Sequence, residues 1–354
     1  MLDFPPRPAL RGRTSDLATL GRVLLATRPA RLALVGPGGS GKSVLAAALG
    51  HRARRAFGGR VHWLRIGAWD FRTLVELLAL RFGTPRARSE ALPALVALFR
   101  REERLVFLDN HEDDRATARL LDAFADTRAS FVITARRCLL GGVLVFPVTA
   151  PLVTSGRAAF PRVRRLTRLL RWNPLALDVA DAIVRSRAAT AASLERALAT
   201  RGVGRVRTVL HEDDVPEVVE LVGWAWERLP ADARRALGVL AHVEGDHVDA
   251  GSIAALGRLD ARRALAPLLR WRLVQEHFRG RYALHAVVRH AVRARTTFDP
   301  ARLFEHYVSM LEREPERAAW EQTNLFAAMD HAHRTGDMDA MLRVDALLTR
   351  LEAR

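Results

Sequence analysis

The sequence predicts a doubly wound parallel α/β domain followed by a mostly helical second half, and three observations carry that expectation. Short β-like runs alternate with helical patterns through the first half, as a parallel sheet with crossover helices requires. A glycine-rich run falls between the first of those strands and the next helix. Beyond about residue 155 the β signal fades, and helical patterns separated by Pro or Gly take over.

The first strand is Arg31-Leu32-Ala33-Leu34-Val35, stopped by Gly36. Residues 61–66, 105–108 and 131–134 supply further strands, and 143–148 a fifth. Between them, 73–82, 91–100 and 117–125 carry apolar residues at i, i+3 and i+4, the spacing of one helix face. In the second half, helical patterns near 230–241, 249–256 and 260–272 precede a short strand at 280–284, an order that suggests a winged-helix unit. Beyond Pro300, further amphipathic helices at 303–312, 323–334 and 341–351 suggest the start of a helical-repeat array.

With 354 residues and 49% hydrophobic content the chain can bury a sizeable core and divide into two to four domains. Its single cysteine, Cys138, excludes an internal disulfide and a Cys-based metal cluster, which fits a reducing cytoplasmic setting. No uncharged apolar run reaches the roughly 20 residues needed to cross a bilayer, and the first residues lack a basic start followed by an apolar stretch. The expected protein is soluble, unexported and without a membrane partner.

The net charge is +17, which raises the question of nucleic acid. The excess is spread along the chain, and of the 56 basic residues only Lys42 is a lysine. Against an arginine-rich background that one lysine is informative, because a guanidinium fork cannot replace a compact ammonium. The densest basic stretch, Arg162, Arg164, Arg165, Arg168 and Arg171 among Leu166, Leu169 and Leu170, has helical spacing and is expected to be a solvated helix face.

The run Gly36-Pro37-Gly38-Gly39-Ser40-Gly41-Lys42-Ser43 matches G-x-x-x-x-G-K-S between a strand and a helix, the setting in which that spacing forms a P-loop. Glycines let backbone N–H groups wrap phosphates, and the helix presents its positive end. Lys42 is expected on the β- and γ-phosphates and Ser43 on Mg²⁺, with Val44 following in the helix. The predicted cofactors are therefore ATP or ADP with Mg²⁺. Leu105-Val106-Phe107-Leu108-Asp109 is an apolar strand ending in a carboxylate suited to Mg²⁺. The next residue, Asn110, is an amide and cannot act as a general base, so Glu112, or else Asp113, is the candidate to orient water, and turnover is expected to be slow. Phe131-Val132-Ile133-Thr134-Ala135-Arg136-Arg137 ends another strand with Arg136 as candidate γ-phosphate sensor. His111, His285 and His290 have no metal-ligand spacing.

The order of these motifs resembles the NB-ARC-type branch of the STAND signal-transduction ATPases, in the form of its bacterial regulators. Leu10-Arg11-Gly12-Arg13-Thr14-Ser15-Asp16-Leu17 is similar to the family's G-R-x-x-E/D-L segment, which implies backbone near adenine at Arg11 and Gly12. Leu105 to Glu112 is similar to L-V-L-D-N-x-E, and Thr134-Ala135-Arg136 to the T-S/T-R sensor. Asn173-Pro174-Leu175-Ala176-Leu177 resembles G-L-P-L-A-L, which implies Pro174 near the base, although Asn173 stands where glycine is usual. Leu284-His285-Ala286-Val287-Val288-Arg289 resembles the M-H-D segment, which implies a His285 contact to the β-phosphate, although Ala286 replaces the acidic residue.

The resemblance spans about residues 8 to 335 and implies four parts: a nucleotide-binding domain (1–155), a helical lid (156–215), a winged-helix domain (216–298) and C-terminal helices (299–354). It further implies a switch, closed with ADP and opening or self-associating with ATP, either as the core of a longer protein or with sensing and output delegated to separate proteins. Two rivals remain. One is a DNA-binding regulator using the winged helix, against which the helix 260–272 is apolar through Leu265, Leu268, Leu269 and Trp271. The other is an ordinary P-loop kinase, for which no second constellation offers a substrate site.

Overall fold

The computed structural model describes residues 4–8, 10, 12–67, 69–84, 90–149, 160–201, 215–245, 247–278 and 280–352. Two compact units emerge, one made of residues 1–184 and 189–217 and the other of 185–188 and 218–354. The predicted boundary at 155–156 lies outside the described residues.

The first unit opens with α1 (Thr14–Ala26), β1 (Arg31–Val35) and α2 (Lys42–Ala53), then β2 (Val61–Arg65), α3 (Phe71–Phe82) and α4 (Ala91–Arg101). It continues with β3 (Arg104–His111), α5 (Asp114–Ala123), β4 (Ala129–Ala135) and β5 (Leu144–Pro147). The five strands form one parallel sheet in the order β2-β3-β4-β1-β5, so β4 is inserted between the strand that feeds the glycine-rich loop and the strand that carries Asp109.

Side chains alternate across a strand, and here each face finds its own core. Leu32 and Leu34 of β1, Leu105 and Phe107 of β3 and Val132 of β4 pack with Leu20, Leu24, Leu45 and Leu49 of α1 and α2. Ala33, Val106, Leu108, Phe131 and Ile133 face the other way onto Leu74, Leu78, Leu95, Phe99 and Leu120 of α3, α4 and α5. The predicted doubly wound sheet is thus present, with helices covering both faces. Burying each of these leucines contributes about 1.5–3 kcal/mol, and burial on both faces is why the strands read as continuous apolar runs.

After β5 the described chain resumes with a 3-10 helix (Pro161–Leu166), α6 (Pro174–Arg185) and α7 (Ala191–Thr200). The basic stretch expected on a helix face is instead this 3-10 helix and the turns after it. Val163 leaves helical geometry, and Arg171 and Trp172 take positive φ, so a continuous α-helix cannot run through. The solvated part of the expectation holds: all five arginines are exposed while Leu166 and Leu170 are buried. Arg165 pairs with Glu195 at 3.0 Å.

The second unit contains most of α8 (Pro216–Arg228), then α9 (Ala231–His242), β6 (Val248–Asp249), α10 (Ala250–Gly257), α11 (Ala261–Arg270), β7 (Val274–Phe278), β8 (Arg281–Leu284) and α12 (Ala286–Arg293). It ends with α13 (Pro300–Arg313), α14 (Ala318–Thr335) and α15 (Met338–Glu352), which share one apolar core through Phe304, Leu311, Leu325 and Leu347. The strands form an antiparallel sheet in the order β6-β8-β7, of which the sequence signalled only β8. On α11, Leu265 and Leu268 are buried, as is Trp271 just beyond it, so this helix spends its apolar side on packing. A buried Arg281–Glu321 ion pair ties β8 to α14, with Asn324 donating to the same carboxylate at 2.7 Å. Among the described residues, no helix is long and apolar enough to cross a membrane.

Candidate functional site

The glycine-rich loop leaves the end of β1 and enters α2. At Gly36 a Cβ would lie 2.3 Å from the Val148 carbonyl oxygen, so no side chain fits. Gly39 has φ +74°, and a Cβ there would strike the Asn173 side chain. Both glycines are therefore demanded by the close approach of neighbouring elements. The first turn of α2 contains no acidic residue and no side chain caps it. Its N–H groups lack partners inside the helix, and the helix dipole adds positive potential there, so the turn suits an anion.

Two details of the loop fit an acceptor-rich ligand. Ser40 Oγ is buried without a hydrogen-bond partner. Gly39 is buried, yet its N–H has no acceptor among the described residues. Buried donors are almost always paired, and phosphate oxygens would satisfy both.

Lys42 is folded back on the loop, its Nζ donating to the carbonyls of Gly36 at 2.8 Å and Pro37 at 2.9 Å. Burial, followed by the positive charge of Arg136, depresses its pKa to about 8, against a smaller upward pull from Asp109. An ammonium so penalised is poised to gain from an added anion. Arg136, half-buried just beyond β4, is thus electrostatically coupled to Lys42, consistent with the two sharing one anion.

Behind the loop three oxygens converge. Ser43 Oγ donates to Asp109 Oδ1 at 2.7 Å, and Thr134 Oγ1 donates to the same oxygen at 2.5 Å. The hydroxyl of Thr134 in turn accepts from the Asn110 N–H at 3.0 Å. Register explains the meeting: β3 and β4 pair in step to Leu108 and Ile133, then shift before His111 pairs with Ala135, while Asn110 turns into the left-handed region at φ +60°. A hydroxyl and a carboxylate beside a glycine-rich loop are the hard oxygen donors Mg²⁺ takes when it keeps water and phosphate as its other ligands. No group of three or more His, Cys, Asp or Glu able to hold a metal occurs among the described residues.

The remaining residues after Asp109 separate by role. Glu112 is exposed, and its Oε1 accepts from Asn110 Nδ2 at 2.7 Å. Asp113 is committed as the N-cap of α5, accepting from Ala116 N at 3.0 Å, so it is a structural acid. His111 is buried between Asp114 at 2.8 Å and Thr117 at 2.9 Å, a satisfied core histidine.

On the approach to α1, Arg11 lies outside the described residues and Gly12 is exposed at φ +69°. The side chain that reaches the loop is that of Arg13, which is not among the residues the sequence marks for the site. It is buried, donates to Ser40 O at 2.8 Å and to Thr149 O, and pairs with Asp16 at 3.0 Å. The Gly12-Arg13 pair was its only sequence signal. Val44 is 42% exposed on the first turn of α2. Pro174 opens α6 next to Asn173, whose side chain bonds Gly38 O at 2.9 Å and so brings that segment to the loop. In the second unit, His285 is the N-cap of α12, its Nδ1 accepting from Val287 N at 3.3 Å.

This geometry has parallels among solved structures. The chain is similar, at 16% identity and TM-score 0.63, to the Signal Transduction ATPase with Numerous Domains (STAND) protein with a tetratricopeptide repeat sensor from Pyrococcus horikoshii. The likeness is one of fold, a P-loop NTPase sheet followed by a helical region. The match covers 98% of this chain and 51% of that one, so the chain spans about half the neighbour's length. More distant likenesses include Cdc6p from Pyrobaculum aerophilum (15% identity, TM-score 0.38, 82% of this chain and 97% of that one). A Drosophila ORC bound to DNA is another (16%, 0.40, 82% and 90%). No family model matches the chain, and no curated protein matches it.

Proposed function

We propose that the chain is an adenine-nucleotide switch of the STAND type, of the NB-ARC-like bacterial branch, binding ATP or ADP with Mg²⁺ and hydrolysing ATP slowly. The observation that carries the reading is the junction of loop and strands: the Ser43 and Thr134 hydroxyls on one oxygen of Asp109, directly behind the penalised Lys42 ammonium. Bound Mg²⁺ would screen charge on the phosphates. The chain's own residues cradle them: the Gly36–Gly41 backbone and Lys42 hold, Arg136 senses, and Glu112 orients water.

In this reading residues 156–215 act as a lid and 216–298 as a winged-helix domain, for which α9, α10 and α11 together with the three-stranded antiparallel sheet are a supporting arrangement. ADP keeps these parts closed with help from His285, and ATP releases them for self-association and for a separate effector or sensor protein. The site is cytoplasmic. A DNA-binding role is the second reading, motivated by the +17 charge; burial of the α11 apolar side argues against it.

Thermal melting tests the proposal. A nucleotide at about 100 times its dissociation constant adds roughly 2.7 kcal/mol of stability, a visible shift. MgADP is expected to raise the melting temperature of the parent and not of Lys42→Ala; equal shifts would refute the site. Light scattering should show larger particles with ATP than with ADP, and mobility shifts with random duplex at two salt concentrations decide the rival.

A further inference from the structure

The side chain of Asn173 joins two elements that are 135 residues apart. Its Oδ1 accepts from Leu175 N at 3.0 Å and Ala176 N at 3.1 Å, which caps the first turn of α6. Its Nδ2 donates to Gly38 O at 2.9 Å. The partners settle the orientation of the amide, since two N–H groups can only donate and a carbonyl can only accept. Asn173 is buried, and Gly39 comes so close that a Cβ there would lie 2.6 Å from Oδ1. One side chain is therefore both the cap of a helix and the holder of one loop peptide.

In a planar trans peptide the C=O and the following N–H point in opposite directions. Pinning Gly38 O on Asn173 thus aims the Gly39 N–H away from α6. That N–H is the buried donor with no acceptor among the described residues. Were the Gly38–Gly39 peptide to rotate, the donor would turn out of the loop, and Asn173 would lose one of its three bonds.

We infer that Asn173 is a positioning residue that fixes the Gly38–Gly39 peptide for phosphate and ties its orientation to the first turn of α6, so nucleotide binding at the loop is felt at that helix. The inference rests on the nucleotide reading above. Of the residues that cap helices, only asparagine serves both ends. Serine and aspartate keep the cap but bring no amide donor to Gly38 O, and glycine loses both.

The test compares the parent with Asn173→Ser, Asn173→Asp and Lys42→Ala, using MgADP titration calorimetry and hydrogen exchange at the amides of Leu175 and Ala176. Asn173→Ser is expected to stay folded with its cap and to bind MgADP about three- to tenfold more weakly, the range of one neutral hydrogen bond. Asn173→Asp should bind more weakly still, because it adds a negative charge beside the loop. In the parent, MgADP should slow exchange at Leu175 and Ala176, and in Asn173→Ser that slowing should vanish even at saturating MgADP, which a purely structural cap would not produce. Parent-like affinity and parent-like slowing in Asn173→Ser, with binding lost in Lys42→Ala, would overturn the inference and leave the nucleotide site standing. If the parent itself does not bind MgADP, both fall.

Discussion

Ser43 and Asp109 are 66 residues apart in the chain, yet the Ser43 hydroxyl donates to the Asp109 carboxylate at 2.7 Å. With Mg²⁺ present that hydroxyl would turn its oxygen to the metal. Ser43→Ala should therefore reduce the Mg²⁺-dependent gain in nucleotide affinity by about tenfold or more while leaving Mg²⁺-free binding near the parent's. Asp109→Asn keeps an oxygen for both hydroxyls but removes the charge, so it should abolish the Mg²⁺ gain with little change in melting temperature. Titrations with and without a chelator check both; an undiminished Mg²⁺ effect in either variant would move the metal site elsewhere.

The Lys42 pKa gives a pH prediction whose sign can be worked out. Burial first, then Arg136, lowers it from 10.5 to about 8, so the ligand-free fold bears the cost of this ammonium below pH 8 and is relieved of it as pH rises toward 10.5. Phosphate favours the ammonium and pushes the pKa back up. ADP binding at pH 9 should then take up about one proton, and affinity should weaken as pH climbs from 8 toward 10. Calorimetry in two buffers of different ionisation enthalpy measures the uptake, and a value of zero would contradict the Lys42 contact.

Turnover is expected to be slow, well below the median enzyme rate of about 10 per second, because an amide stands directly after Asp109. Glu112→Gln is a clean probe: glutamine keeps an oxygen to accept from Asn110 Nδ2 but cannot take a proton. It should lower the residual rate of phosphate release. A rate unaffected by the change would return water activation to another group.

His285 requires two variants, because its Nδ1 already accepts from Val287 N as a helix cap. Acceptance at Nδ1 leaves the proton of a neutral ring on Nε2, the tautomer able to donate to a phosphate. His285→Ala removes both roles, while His285→Asn retains the cap. If His285 latches the ADP state, both should release ADP about ten- to a hundredfold faster in stopped flow, as expected for losing a bond to a charged group. If only the alanine variant differs from the parent, the histidine is a cap alone.

Sequence by itself determined what depends on neighbouring residues. The strand, glycine-rich loop and helix of residues 31–53 are contiguous, so a local motif marked that loop, and β-like runs alternating with helical patterns marked a parallel sheet covered on both faces. Helical spacing alone misjudged the arginine stretch, because the Val163 distortion and the positive φ of Arg171 and Trp172 do not alter the apolar spacing that a helix would show. Short strands also escaped notice: β6 has two residues, too few for a period to register.

Tertiary structure alone decided which side chains meet. The insertion of β4 between β1 and β3 puts Thr134 on Asp109, and a register shift after Leu108 allows it. Arg13 and Asn173 reach the loop carbonyls of Ser40 and Gly38 from elements 27 and 135 residues away. The physical reason is that a local pattern fixes backbone conformation and the face each residue presents, whereas a hydrogen bond between distant residues depends on strand order and register, which no local period encodes.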